Sequence, residues 1–334
     1  MRIAVIGAGS WGSAVARIAA AHGQASLWAR DPELAATIDR DHENPRYLPG
    51  VDLGPVRGTA DLAAACADAT VVVVGVPSHG VRTVLADAAP SIAADATVVS
   101  LVKGVEQGTL LRMTEVVAEV LADHDPSRIG VLTGPNLARE VAAGQPTASV
   151  VAIPDAGRAE VVQAAFMTDE FRVYTNPDVV GCEIAGALKN VMAIAAGIAH
   201  GLGYGDNTVA ALITRGLAEL ARLGVALGGD PLTFSGLAGM GDLVATCTSD
   251  QSRNRTVGVA LGRGRSLDEV VAEMHMVAEG VKSTRAVLDL AARHGVELPI
   301  AAQVGAVLYD GRRPEEIVPE LMLRGATSEL RGLR

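Results

Sequence analysis

The chain has 334 residues and a formal net charge of −10 at pH 7; 49% of its residues are hydrophobic and 3% aromatic. The length suggests two domains, and an Ala/Val/Leu-rich composition fits an α/β enzyme built on a parallel sheet. The acidic balance disfavours a broad nucleic-acid or anionic-membrane surface, so an anionic small molecule would need a local cationic pocket.

Residues 2–23, RIAVIGAGSWGSAVARIAAAHG, form the first unit in chain order. A β-branched run over 2–6 is followed by Gly7-Ala8-Gly9-Ser10-Trp11-Gly12 and an alanine-rich helix to about residue 22. GxGxxG between a strand and a helix is the dinucleotide fingerprint. Gly7 permits the tight turn, Gly9 the approach of a pyrophosphate, and Gly12 close helix–strand packing, and the helix N-terminus offers N–H groups to the phosphates. The alternative is an ordinary glycine-rich turn. The start lacks the basic and apolar regions of a secretory leader.

The second strand, 24–30, ends at Arg30 and Asp31. Asp31 before Pro32 and Glu33 reads as an N-cap with proline at N1. That leaves Arg30 for the ribose, where a guanidinium suits a 2′-phosphate and stacks on adenine. NADPH should then be accepted; otherwise Arg30 is a solvent-exposed strand end. Further strands are expected at 69–79, 96–104, 128–136, 146–153 and 171–175, the first three ending at Pro77-Ser78-His79, Lys103-Gly104 and Gly134-Pro135-Asn136. Strands alternating with helices predict a Rossmann-type, doubly wound parallel sheet, with ligands beyond the carboxyl ends of its strands.

From residue 177 the alternation gives way to helical periodicity over 178–199, 206–227, 231–247, 253–262, 266–275, 281–294, 299–309 and 314–323, with a tail at 327–334 that should fray. The reading is therefore a Rossmann domain over 1–176 and an all-α domain over 177–334. No apolar run reaches the ~18 residues of a membrane span; the longest candidate, 184–199, contains Lys189 and Asn190. Cys66, Cys182 and Cys247 are far apart and form no CxxC, which argues against a disulfide framework or zinc site. A reducing, cytoplasmic setting without a metal is expected.

Lys189 stands in IAGALKNVMAIAAG, and its neighbours at i±3 and i±4 are Ala185, Gly186, Met192 and Ala193. None can pair with an ammonium. The group either snorkels to water or, desolvated and without a carboxylate at i±4, is easier to deprotonate and acts as a general acid/base. Two later stretches are also rich in site chemistry: GLAGMGDLVATCTS (236–249) carries Asp242, and DQSRNRTVG (250–258) packs Ser252, Arg253, Asn254 and Arg255 at a helix start. The latter is an anion receptor or a capped, solvated helix start. Glu279, in MVAEGVKST, reads as a cap or surface charge on its own.

GAGSWG, NPRYLPG (44–50), VPSHGVR (76–82), LVKG (101–104), TGPNLARE (133–140), GALKNVMAIAAG (186–197), NTVAALITRGLAE (207–219), GLAGMGDLVATCTSDQSRNR (236–255) and VAEGVKST (277–284) together closely resemble the bacterial NAD(P)-dependent glycerol-3-phosphate dehydrogenases. The resemblance runs from residue 2 to about 325, and its Lys-Asn helix and GLAGxGDL…SRNR block are specific to that family. It implies reduction of dihydroxyacetone phosphate by NADPH or NADH to sn-glycerol 3-phosphate, the precursor of glycerophospholipids, by a cytosolic homodimer that needs no metal. It also implies roles. Lys189 is the general acid/base. Lys103 lies near nicotinamide and substrate, and Asp242 binds a substrate hydroxyl and orients the lysine. Gly134 and Asn136 contact substrate and Ala138 cofactor. Ser252, Arg253 and Asn254 hold the phosphate, with Arg253 also near the cofactor, which Gly7, Gly9, Ser10, Trp11, Gly12, Arg30, Val277 and Glu279 line.

Three positions depart from the family pattern. Trp11 stands where a smaller aromatic or another bulky residue is common, Asn136 replaces a Ser, Thr or Ala, and Ala278 replaces a valine. The nearest rivals, 3-hydroxyacid and 6-phosphogluconate-type dehydrogenases, share the lysine on the first helix of the second domain but not the SRNR and GLAGxGDL stretches. A non-catalytic NAD(P)-binding regulator would need GxGxxG but not Lys189 with Asp242.

Overall fold

A computed structural model describes residues 1–274, 278–323, 325 and 328. The chain divides into two compact units: Met1–Val102 with Met113–Val179, and Lys103–Arg112 with Val180–Arg334. Residues 103–112, which the sequence reading leaves in the first domain, thus group with the helical one.

The first unit contains strands β1 (Arg2–Ile6), β2 (Gln24–Trp28), β3 (Glu43–Asn44), β4 (Leu48–Asp52), β5 (Arg57–Thr59), β6 (Val71–Val74), β7 (Thr97–Ser100), β8 (Ile129–Thr133), β9 (Thr147–Ala152) and β10 (Phe171–Asn176). Its helices are α1 (Ser10–Ala20), α2 (Pro32–Asp41), α3 (Leu62–Cys66), α4 (Val81–Ala88), α5 (Met113–Val120), α6 (Ala138–Ala142) and α7 (Ala156–Phe166). Eight strands form one sheet in the order β10-β9-β8-β7-β6-β1-β2-β5. The all-valine β6, buried along its length, pairs in parallel with β1 and β7, as a strand covered on both faces should. Strand order reverses at β1 and β6, the switch point where such sheets bind ligands.

Two features differ from expectation. β8 and β9 run antiparallel. Their connection holds only the five-residue α6, too short a helix to carry the chain back over the sheet, whereas the 11-residue α7 returns it so that β9 and β10 are parallel. The sequence also gave no sign of the antiparallel ribbon β3–β4 or the edge strand β5. Pro45, Pro49, Gly50 and Gly54 punctuate that stretch and hide its short strands.

The second unit is helical: α8 (Val179–Gly201), α9 (Asp206–Ala226), α10 (Asp242–Thr248), α11 (Arg253–Gly262), α12 (Leu267–Glu273), α13 (Glu279–Arg293), α14 (Pro299–Tyr309) and α15 (Ile317–Met322). The single helix expected over 231–247 is instead a 3₁₀ turn (Pro231–Ser235), a π turn (Leu237–Gly241) and α10. Gly239 makes the break possible, because a Cβ there would lie 2.1 Å from the Phe234 carbonyl oxygen. The expected tail at 327–334 falls, apart from Ser328, outside the described residues.

α8, 23 residues long, matches the helix expected over 178–199. By length and composition it could cross a membrane, although the sequence reading found no run long enough, yet 89% of its most apolar window is buried within the protein. A helix apolar on every face belongs in a core. Its backbone meets that of α11 through glycines on both helices: a Cβ on Gly197 would lie 2.2 Å from Arg255 O, and one on Gly258 2.1 Å from Ile194 O. Gly258→Ala should therefore lower the thermal unfolding midpoint through overpacking of about 1–3 kcal/mol or more. An unchanged melting curve would mean the crossing is not tight.

Candidate active site

Lys189 lies midway along α8 and is 5% exposed. It does not snorkel. Its Nζ is 3.1 Å from Oδ1 of Asp242 and donates to Oγ1 of Thr246 at 2.7 Å, with Asn190 Oδ1 at 3.4 Å. The carboxylate missing at i±3 and i±4 on α8 is thus supplied from α10, which corrects the expectation of a lysine without one. Asp242 is the first residue of α10, where the helix dipole favours a carboxylate, and Thr246 one turn later donates to the Asp242 carbonyl at 2.6 Å.

Lys103 takes the other oxygen of the same carboxylate, Nζ to Oδ2 at 2.6 Å. Two ammonium groups therefore share one carboxylate that is itself 3% exposed. Burial, helped by the charge of Lys189, lowers Lys103 to about 8, against the opposing pull of Asp242. A chain of amides braces the cluster: Gly280 N–H donates to Asn254 Oδ1 (2.9 Å), Asn254 Nδ2 to Asn190 Oδ1 (2.9 Å), and Asn190 Nδ2 to the Lys103 carbonyl (3.1 Å). Cys247, next to Thr246 in sequence, carries a buried thiol that burial pushes up to about 12, leaving it protonated and chemically quiet.

Ser252 N-caps α11, accepting from the Arg255 N–H at 3.3 Å. Arg253 stands at the helix start, where partial burial lowers its pKa and the charge of Glu279 opposes that. Arg255 is turned to Asp250 at 2.5 Å. The 250–255 block is thus both a capped helix start and a cationic one.

The first unit carries the other expected residues. Gly7 has φ +122°, and a Cβ there would lie 2.7 Å from Gly75; a Cβ on Gly12 would lie 1.9 Å from Gly7 O. At Gly9, which N-caps α1 without any side-chain cap, a Cβ would meet nothing within 4 Å. Two glycines are demanded by packing and the third faces open space at a bare helix N-terminus, which fits a dinucleotide pyrophosphate. Ser10 Oγ donates to Tyr47 O at 2.6 Å, and the Trp11 ring lies 6.1 Å from that of Phe171. Asp31 caps α2 through the Glu33 N–H and pairs with Arg46 at 2.9 Å. Among the described residues the exposed Arg30 forms no ion pair. Gly134, with φ +133°, and Asn136 follow β8, where Asn136 Nδ2 lies 3.3 Å from Ser149 Oγ; Ala138 opens α6. Val277 lies outside the described residues.

Both halves of the chain match one family. Residues 2–159 match the N-terminal region, and residues 178–319 the C-terminal region, of NAD-dependent glycerol-3-phosphate dehydrogenase. The chain belongs to that family. It is 53% identical over 333 residues to a Streptomyces coelicolor protein named glycerol-3-phosphate dehydrogenase (NAD(P)+), covering 99% of each chain. It is 54% identical to a protein of the same name from Frankia casuarinae, covering 99% of this chain and 98% of that one. The crystal structure of glycerol-3-phosphate dehydrogenase from Coxiella burnetii superposes with a TM-score of 0.92 at 38% identity, over 97% of this chain and 99% of that one. Membership makes the chain an oxidoreductase that uses a nicotinamide dinucleotide.

Sequence reasoning missed two contributors. Thr246 was legible only as the residue one turn after Asp242. Asn44, fully buried, donates from Nδ2 to Ala8 O and Ser13 Oγ, both at 2.8 Å, and so fixes the glycine-rich loop; it sits in the NPRYLPG stretch, where the sequence did not single it out. The carboxylate raises Lys103, so removing it must lower Lys103 further below 8. Asp242→Asn should therefore cut kcat by about 10²-fold or more and move the alkaline loss of ketone-reducing activity to lower pH. A limb that stays in place would mean Asp242 does not govern Lys103.

Proposed function

We propose that this chain catalyses the reversible reduction of dihydroxyacetone phosphate to sn-glycerol 3-phosphate with NADPH or NADH, Lys189 serving as general acid/base. The observation that carries the reading is the pair of ammonium groups on Asp242 in a chain that matches the family over both halves. When bound, the nicotinamide supplies the hydride received by C2. Negative charge then develops on the C2 oxygen, which requires nearby cations and a proton. Lys189 Nζ, held by Asp242 and Thr246, gives that proton, and takes it back in the oxidative direction. Lys103 adds a second cation, and Asp242 orients both lysines and accepts a substrate hydroxyl.

Ser252, Arg253 and Asn254 hold the phosphate at the start of α11, where helix N–H groups and a guanidinium act together. The Asn254 side chain braces Asn190 and Gly280, so its share of phosphate binding falls chiefly to its backbone N–H. Gly134 and Asn136 contact substrate. Gly7, Gly9, Ser10, Trp11, Gly12, Arg30, Ala138, Val277 and Glu279 serve the cofactor, with Lys103 and Arg253 contributing to it. Anchoring the remote phosphate orients C2, an effect worth up to ~7–11 kcal/mol. The exposed Arg30 favours NADPH through its 2′-phosphate. The product would feed glycerophospholipid synthesis, and the enzyme would work in the cytoplasm as a homodimer.

Purified protein should oxidise NADPH with dihydroxyacetone phosphate; equal efficiency with unphosphorylated dihydroxyacetone would exclude the phosphate role of α11. Lys189→Ala should remove far more than tenfold of kcat (tenfold is about 1.4 kcal/mol) while NADPH binding, followed by fluorescence, stays close to wild type. Survival of kcat within that tenfold would reject Lys189 as the proton donor. Arg30→Ala should weaken NADPH much more than NADH, and an equal loss would leave Arg30 only a stacking role on adenine.

A further inference from the structure

Residues 103–112 form a short loop fastened to α8 at both ends. At one end Asn190 Nδ2 donates to the Lys103 carbonyl. At the other Arg112 Nη1 donates to Oε2 of Glu183 at 2.6 Å, with side chains 16% and 4% exposed. Glu183 and Asn190 are seven residues apart on α8, two helical turns or about 10.5 Å on one face. The two ends of the loop also grip each other: Val105 and Arg112 form an antiparallel bridge, and Glu106 N–H donates to Leu111 O at 2.9 Å. Val105 and Leu110 are buried in the helical core, Gln107 Nε2 donates to Lys282 O, and Arg293 Nη1 lies 3.4 Å from Thr109 O. Fixing Arg112 therefore fixes Val105, two residues from Lys103.

We propose that the buried Arg112–Glu183 ion pair is a positioning device for the catalytic cluster, holding the far end of the 103–112 loop on α8 and so setting the Lys103 ammonium against Asp242. In that role the two residues act through Lys103. The catalytic consequence rests on the role given to Lys103 above, but the positioning itself does not.

A loosened loop lets Lys103 leave its buried place beside Lys189. Burial is the main influence lowering it, so its midpoint must then rise toward the ordinary lysine value. The chain has only three lysines, Lys103, Lys189 and Lys282, so trace acetylation with acetic anhydride at a series of pH values, read by mass spectrometry, gives the Lys103 midpoint in ligand-free protein with Lys282 as internal reference. Removing one partner strands a buried charge and endangers folding. The variants are therefore Glu183→Gln and the apolar double replacement Arg112→Leu with Glu183→Met, alongside the conservative Arg112→Lys.

The expected result is a Lys103 midpoint raised by about one unit or more in the first two, corresponding to about 1.4 kcal/mol, and largely restored in Arg112→Lys. kcat should fall by about tenfold or more with KM for NADPH little changed. An unchanged midpoint in folded Glu183→Gln and double variants would overturn the proposal and leave the pair a purely structural contact. A raised midpoint with unchanged kcat would uphold the positioning and instead reject the catalytic role of Lys103.

Discussion

The site depends on one carboxylate shared by two ammonium groups. Lys103 and Lys189 come from separate parts of the chain and meet only because Asp242 offers each an oxygen. Two buried cations would repel and each would lose hydration; the carboxylate offsets part of that cost and leaves the trio with a net positive charge when both lysines are protonated. The surrounding backbone serves this arrangement. The π turn ahead of α10 brings Asp242 to a helix N-terminus, and such turns recur where function demands a departure from regular helix.

The choice of lysine here is itself informative. Of 28 basic residues only three are lysines, and two of them share Asp242. Elsewhere the chain uses arginine, as in the pairs with Asp250 and Glu273. A guanidinium binds carboxylates well but keeps its proton throughout the working pH range, whereas an ammonium can be brought by burial to where it gives up a proton. Lys103 at about 8 shows the environment doing so.

Much of the fold was legible because its signals are local. Valine runs predicted β6 and β7, and the breaks in helical periodicity matched most of the helices from α8 onward to within a few residues. What escaped was non-local. The partner of Lys189 lies on another helix, beyond any i±4 rule, so the sequence showed a lysine without a carboxylate where the fold supplies one. The attachment of 103–112 to α8 depends on Glu183 and Asn190, more than seventy residues away along the chain. The direction of β9 is set by the length of α6, which spacing alone did not reveal.

Each unit braces its functional backbone with asparagine. In the first, Asn44 ties Ala8 and Ser13 together around the glycine-rich loop. In the second, Asn254 and Asn190 link the start of α13 to the carbonyl of Lys103. An amide donates and accepts at once, so it can fix two pieces of backbone while satisfying its own buried groups. It also adds no charge. Beside Lys189 and Lys103 that matters, because a carboxylate in the place of Asn190 would hold their protons more tightly, and a cation there would repel them. Neutral bracing leaves the proton balance of Lys103 to burial, Asp242 and Lys189, and a protein of net charge −10 can keep a locally cationic site. Exposed charges beyond a Debye length of ~8 Å are largely screened at physiological salt, and the buried trio then sets the field felt by a bound anion.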